Sequence, residues 1–189
     1  MIISLTVVFS WRVTRQKLGR DCQASDLDLR CILGYPVMEH TNAPVGPNYR
    51  RAFFFGATKM TDAEILTLVD RLERCLLAKE EFHHRDHLTV AVVYLYASDL
   101  ETSMDRMRSS VKRFAGHHGV TELYHETLTR FWLQEVEKIL DRDKCLVQSV
   151  ERVREKLNNK NLVFGYYSRE RIESKEAKET WLQPDLKEL

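Results

Sequence analysis

Three histidines crowd one short stretch, E-E-F-H-H-R-D-H at positions 80–87, at the entrance to an apolar run from Leu88 to Leu95. A neutral imidazole carries a lone pair that binds Zn or Fe, and it exchanges protons near neutral pH. His84 and His87 are three apart, which on a helix puts them on one face in line with Leu88, Ala91 and Leu95. A further histidine, His125, stands in Y-H-E-T (124–127), on the stripe of Leu128, Trp132 and Val136. His84, His87 and His125 together make a candidate metal site with an open fourth position, the arrangement of a catalytic centre. Beside them Glu126 is a candidate general base or carboxylate ligand, and Tyr124 a candidate proton donor.

Each of these residues also has an ordinary structural role. A core histidine is commonly satisfied by a carboxylate or a main-chain carbonyl, and His117 and His118 near a helix C-terminus complement its dipole. Asp86 and Arg85 read as a first-turn carboxylate and a solvated cation, and Trp132 as core lining. Glu-x-x-His occurs twice, at Glu81–His84 and Glu122–His125, which raises a carboxylate-bridged di-iron centre. That centre needs a glutamate from each remaining helix. Glu73 or Glu80 would serve on one, but the other offers only Glu101, at the wrong end, so a single metal is the better fit.

Helical periodicity must position these groups. Thr61 and Glu64 have capping-box spacing, and Ile65, Leu68, Val69, Leu72 and Leu76 follow on one stripe, which predicts a helix over 61–81. The apolar run after His87 predicts a second helix, the most buried of the set. Ser98 and Glu101 repeat the capping box. Leu100, Met104, Met107, Val111 and Phe114 then form a heptad seam that stops at Gly116 and Gly119, with Arg106, Arg108, Lys112 and Arg113 solvated. A fourth helix over 121–143 stripes Leu128, Phe131, Trp132, Val136, Ile139 and Leu140, and a fifth carries Leu146, Val150, Val153 and Leu157. Short joints force antiparallel neighbours, so the fold class is all-α, an up-down bundle of about five main helices. Such a bundle gathers His83, His84, His87, His117, His118 and His125 at one end. In the tail, Ser168 and Ser174 are placed to cap short helical turns, and Tyr166 and Tyr167 either border the cavity as a lid or simply pack.

Residues 1–58 break this pattern. Turn-formers, including Pro36, Pro44 and Pro47, interrupt any period, so the segment reads as an irregular or poorly ordered extension, and 59–189 as the bundle domain. The first residues, M-I-I-S-L-T-V-V-F, are dominated by Ile, Val and Thr and read as a strand; the alternative is a secretory segment, against which the lack of a basic segment and of a cleavage site argues. Met60 is an alternative start.

The motifs F-H-H-R-D-H-L (82–88), Y-H-E-T (124–127), Y-S-R-E-R-I (167–172) and P-D-L (184–186) resemble a family of small bacterial all-helical proteins of no assigned activity. Its members carry F-x-H-x-x-H-L, Y-H-E-T, Y-S-x-E-R-L and a P-D-L tail. Ile172 stands where that family has Leu. The resemblance spans about 61–186 and implies a shared helical fold and a common pocket.

Charge narrows the function classes. With 29 Lys and Arg against 28 Asp and Glu, the chain has no overall field to collect nucleic acid or anionic lipid. Cys22, Cys31, Cys75 and Cys145 are widely separated and form no C-x-x-C pair, which fits a reducing cytosol. Two readings survive. One is a small metal-dependent hydrolase or oxygenase acting on a small molecule, with Zn or Fe on His84, His87 and His125. The other is a noncatalytic helical binding or scaffold domain with a structural histidine cluster.

Overall fold

The computed structural model describes residues 59–189, so the readings made for 1–58 lie outside the described residues. Its main helices are α1 (Asp62–Glu73), α2 (His84–Ala97), α3 (Leu100–His117), α4 (Glu126–Ile139) and α5 (Leu146–Lys156). Two short ones follow, α6 (Arg169–Ile172) and α7 (Lys175–Glu179). Tight 3-10 turns occupy Lys79–Glu81, Thr121–Leu123 and Lys160–Gly165, and there is no strand among the described residues. The all-α expectation therefore holds for this region.

The continuous apolar run makes α2 the centre. Leu88, Val90, Val92, Tyr94 and Leu95 are fully buried, and α1, α3, α4 and α5 all pack on this helix. A helix without a polar face is stable only when it is surrounded. The heptad seam of α3 contributes Met104, Met107 and Phe114 to the same core, and α5 contributes Val150, Val153 and Leu157. Helix α4 serves two cores. Leu133 and Val136 face α2, while Phe131 joins Val163, Tyr167 and Ile172 in a second, smaller cluster built by the C-terminal segment.

Three boundaries differ from the sequence expectation. The first helix was expected to run through Leu76 to residue 81, but it stops at Glu73 in a Schellman turn. Leu76 N–H donates to Arg71 O at 2.7 Å and Cys75 N–H to Leu72 O at 3.0 Å, so Leu77 is buried and Leu76 is left exposed. The third helix is capped by Asp99, whose carboxylate takes the Thr102 N–H at 2.9 Å, rather than by the Ser98–Glu101 box. The fourth starts at Glu126, because residues 121–123 form their own turn and His125 is the N-cap.

The Schellman turn holds Cys75 at φ 56°, a left-handed conformation that glycine adopts without steric penalty. Cys75→Gly is therefore expected to stabilise the domain by about 0.5–1 kcal/mol, read as a higher urea midpoint. A lower midpoint would mean that the partly buried thiol contributes packing worth more than the strain.

The C-terminal segment is strapped to the body by main-chain bonds. Thr127 Oγ1 donates to Thr180 O (2.7 Å) and accepts from Leu182 N–H (3.1 Å), and Tyr167 Oη donates to Leu182 O (2.8 Å). Ser168 and Ser174 cap α6 and α7, as expected. Asp185 of the P-D-L tail accepts both the N–H (2.8 Å) and the hydroxyl (2.6 Å) of Ser168, so two of the quoted motifs meet in one contact. Tyr167 is fully buried in the second core, so it packs and does not border an open cavity. No helix among the described residues is long and apolar enough to cross a membrane.

Candidate functional site

His84 is the first residue of α2 and points at the far end of α5. Its Nε2–H donates to the carbonyl of Leu157, the α5 C-cap, at 2.9 Å. A carbonyl can only accept, so the proton is on Nε2. The ring also packs edge-on against Trp132, with centroids 4.5 Å apart. Burial holds its pKa below the usual histidine value against the opposing effect of the Leu157 carbonyl, and Lys160 adds to the depression. His87 lies 4.0 Å from the ring of Phe82, and burial, with His84 and Lys160 nearby, pushes its pKa down to about 4.

His125 is bonded at both ring nitrogens. As N-cap of α4, its Nδ1 accepts the Leu128 N–H at 3.2 Å, and its Nε2–H donates to the carbonyl of Ile172, the last residue of α6, at 2.8 Å. The tautomer is fixed from both sides, and the one lone pair that a metal would use already accepts a main-chain proton. Burial keeps this ring below the ordinary histidine pKa too.

His84 and His125 are anchored to different elements, one to the C-cap of α5 and the other to the end of α6. His84 packs on Trp132, which is two helical turns, about 10 Å, further along α4 than His125. The expectation that His125 sits on the helical stripe fails because it precedes the helix, and as N-cap it turns toward α6. Among the described residues no group of three or more His, Cys, Asp or Glu side chains is placed to hold a metal ion. His118 repeats the pattern of the others, donating Nε2–H to Leu77 O at 3.0 Å. Phe82, Phe114, His118 and His117 continue from His87 as a chain of ring contacts 4.0–5.3 Å apart, joining the start of α2 to the end of α3.

Glu126 and Tyr124 do come together, in a closed network. The buried Glu126 carboxylate accepts Arg108 Nη2–H at 2.6 Å, Arg108 Nε–H at 3.0 Å and the Tyr124 hydroxyl at 2.6 Å. Burial alone would raise the Glu126 pKa, but the bonds from Arg108 and Tyr124 outweigh it and hold the group below the ordinary glutamate value. Burial and Glu126 push the Tyr124 phenol well above its ordinary range. The carboxylate is thus kept as the anion and the phenol kept protonated. That combination suits a structural tie better than proton exchange near neutrality.

The same triad occurs a second time. Glu73 accepts the fully buried Tyr94 hydroxyl at 2.8 Å and Arg106 at 2.8 and 2.9 Å, and the Arg106 guanidinium lies 4.5 Å over the Tyr94 ring. Arg106 and Arg108, expected in solvent from the α3 pattern, both clamp α3 to a neighbouring helix. Three of the carboxylates considered for a di-iron centre are likewise engaged: Glu73 as above, Glu81 with Arg71 at 3.0 Å, and Glu101 with Arg130 at 2.6 Å.

Beside Tyr124 a cleft of about 390 Å³ opens between α3, the 121–123 turn and α7. Lys112, Thr121, Tyr124, Lys175 and Lys178 contribute to its walls, and the Lys112 ammonium stands 4.8 Å over the Tyr124 ring. Nothing in the periodicity marked this cleft, because α7 reaches it through the C-terminal strap. Compared with known proteins, the chain matches no family model, no curated protein and no solved structure.

Proposed function

We propose that the protein is a noncatalytic helical binding or scaffold domain in which the histidines are structural. The observation that carries this reading is that His84, His118 and His125 each donate Nε2–H to a main-chain carbonyl of a different segment, at 2.8–3.0 Å. Carbonyls near helix ends lack partners within their own helix, and a neutral imidazole from a neighbouring helix supplies one. The competing reading, Zn or Fe on His84, His87 and His125 with Glu126 and Tyr124 handling protons, needs free lone pairs that converge. The Leu128 N–H at His125 Nδ1 weighs against it, as does the two-turn offset from His84. A cytosolic setting rests on the separated cysteines, of which Cys75 and Cys145 are free thiols.

Elemental analysis of the full chain, purified without chelator or affinity tag, is expected to find less than about a tenth of an equivalent of any transition metal. In parallel, His125→Ala should lower stability by about 2 kcal/mol, through loss of both the cap and the Ile172 bond. His125→Asn, which restores the cap alone, should recover about half of that. One equivalent of bound metal that disappears in His125→Ala would overturn the proposal.

A further inference from the structure

We infer that residues 160–186 form a strap that opens from α4 as one unit while the five-helix body stays folded, uncovering an aromatic face of α4. The separation of the two cores carries the inference. Four residues beyond Leu157 are buried, Val163, Tyr167, Ile172 and Ala177, and none of them belongs to the main core. Three of the four join Phe131 in the smaller cluster. Among the described residues Trp132 and Leu162, both half-buried, are the two that pack against both clusters. Helix α7 packs on α4, and α6 packs on α7. The boundary lies at Asn158 and Asn159, which are exposed. On the body side His84 holds the Leu157 carbonyl at 2.9 Å, so α5 keeps its last turn when the strap leaves.

The hydrogen bonds divide in the same way. Those inside the strap tie its end to its beginning: Tyr167 Oη donates to Leu182 O (2.8 Å), Arg171 Nε–H to Gln183 O (2.7 Å), Ser168 to Asp185 (2.6 and 2.8 Å) and Leu186 N–H to Tyr166 O (3.0 Å). A segment closed on itself in this way loses its outer contacts together and does not fray residue by residue. Three bonds to the body come from one turn of chain. His125 Nε2–H donates to Ile172 O at 2.8 Å, and Thr127 Oγ1 donates to Thr180 O at 2.7 Å and accepts from Leu182 N–H at 3.1 Å. Two cation–π contacts add to these, Arg130 over Trp181 at 5.5 Å and Lys138 over Tyr166 at 5.8 Å. Opening the strap therefore exposes one small cluster, with Phe131 at its centre, whereas unfolding the body also exposes the run from Leu88 to Leu95. The smaller cost makes the strap the first unit to open.

Amide hydrogen exchange of the full chain, followed at rising urea below the unfolding transition, tests this. The amides of Ile172, Leu182 and Leu186, which donate to Ser168 O, Thr127 Oγ1 and Tyr166 O, are expected to share one opening constant. That constant should lie about a hundredfold above the one for α2 amides such as Val92, and should depend less steeply on urea because less surface is exposed. Thr127→Val keeps the shape of the side chain and removes both of its ties to the strap. It should raise the constant about tenfold at Ile172 and Leu186, neither of which bonds to Thr127. A urea slope equal to that of α2 would mean that the strap opens only with the whole domain, and would overturn the inference. Three unrelated constants, or no change at Ile172 and Leu186 in Thr127→Val, would overturn it too, since either result describes local fraying.

Discussion

Replacing Glu126 by alanine is expected to destabilise the domain by about 3 kcal/mol, measured as the change in unfolding free energy from urea titration. The residue is 6% exposed, and its carboxylate accepts four bonds from two partners. Its removal leaves Arg108 Nε and Nη2 without their acceptor and takes from the Tyr124 hydroxyl its carboxylate partner. Breaking a buried pair from one side costs more than the pair itself is worth, because the remaining group keeps its desolvation penalty. Arg108 keeps a second carboxylate, Asp105, at 2.5 Å, and its side chain is 31% exposed, which places the cost at the low end of the usual range. Glu126→Gln keeps the shape and loses the charge, so about half the effect is expected, and Tyr124→Phe should cost about 1 kcal/mol. A loss below about 1 kcal/mol for Glu126→Ala would mean that water already satisfies the guanidinium. The pH dependence has a definite sign. The folded-state pKa of Glu126 lies below its unfolded value of 4.5, so the stabilisation is complete above that value and is lost as pH falls through the folded pKa.

Much of the fold was legible in the chain because burial imposes periodicity. The α3 seam of Met104, Met107 and Phe114 is buried as its spacing requires, and the run from Leu88 to Leu95 is the centre of the domain. The ends of helices were harder to read, because a cap depends on one local hydrogen bond for which neighbouring residues compete. Asp99 took the role that the Ser98–Glu101 spacing suggested for Ser98. His125 lies in register with Leu128 and Trp132, yet the chain enters α4 at Glu126, and the ring turns back onto Leu128 N–H. Register with a stripe therefore did not imply a place on it. The partners of the polar groups were not legible at all. Arg108 and Glu126 lie on different helices, as do Arg106 and Glu73, and no local pattern on α3 separates these arginines from Lys112, which remains exposed. The cleft was hidden for the same reason: its walls come from α3 and from α7, which lies far along the chain.

Lowering the pH from 6.5 to 4 is expected to remove roughly 3 kcal/mol of stability through His87 alone. The folded pKa is about 4 against 6.5 for the free side chain, chiefly because burial against Phe82 opposes the charged form, and because positive charge on His84 and Lys160 would face it. Between these two values the unfolded chain holds a proton on this residue and the folded chain does not, so acid favours unfolding. The contribution is complete above pH 6.5 and is lost as the pH falls through 4. His84 and His125, also held below the ordinary value by burial, act in the same direction. Acid also breaks the α4 cap directly, since a protonated Nδ1 on His125 cannot accept the Leu128 N–H. Urea midpoints measured at half-unit intervals from pH 7 to pH 4 should therefore fall steeply below pH 6.5. His87→Gln, which cannot titrate, should flatten the profile by up to one proton. Equal slopes for the two proteins between pH 6 and pH 4.5 would mean that His87 protonates inside the fold at little cost. The imidazoles at the start of α2 would then be accessible enough to take a proton or a ligand, which is the condition that the structural reading of the histidine cluster excludes.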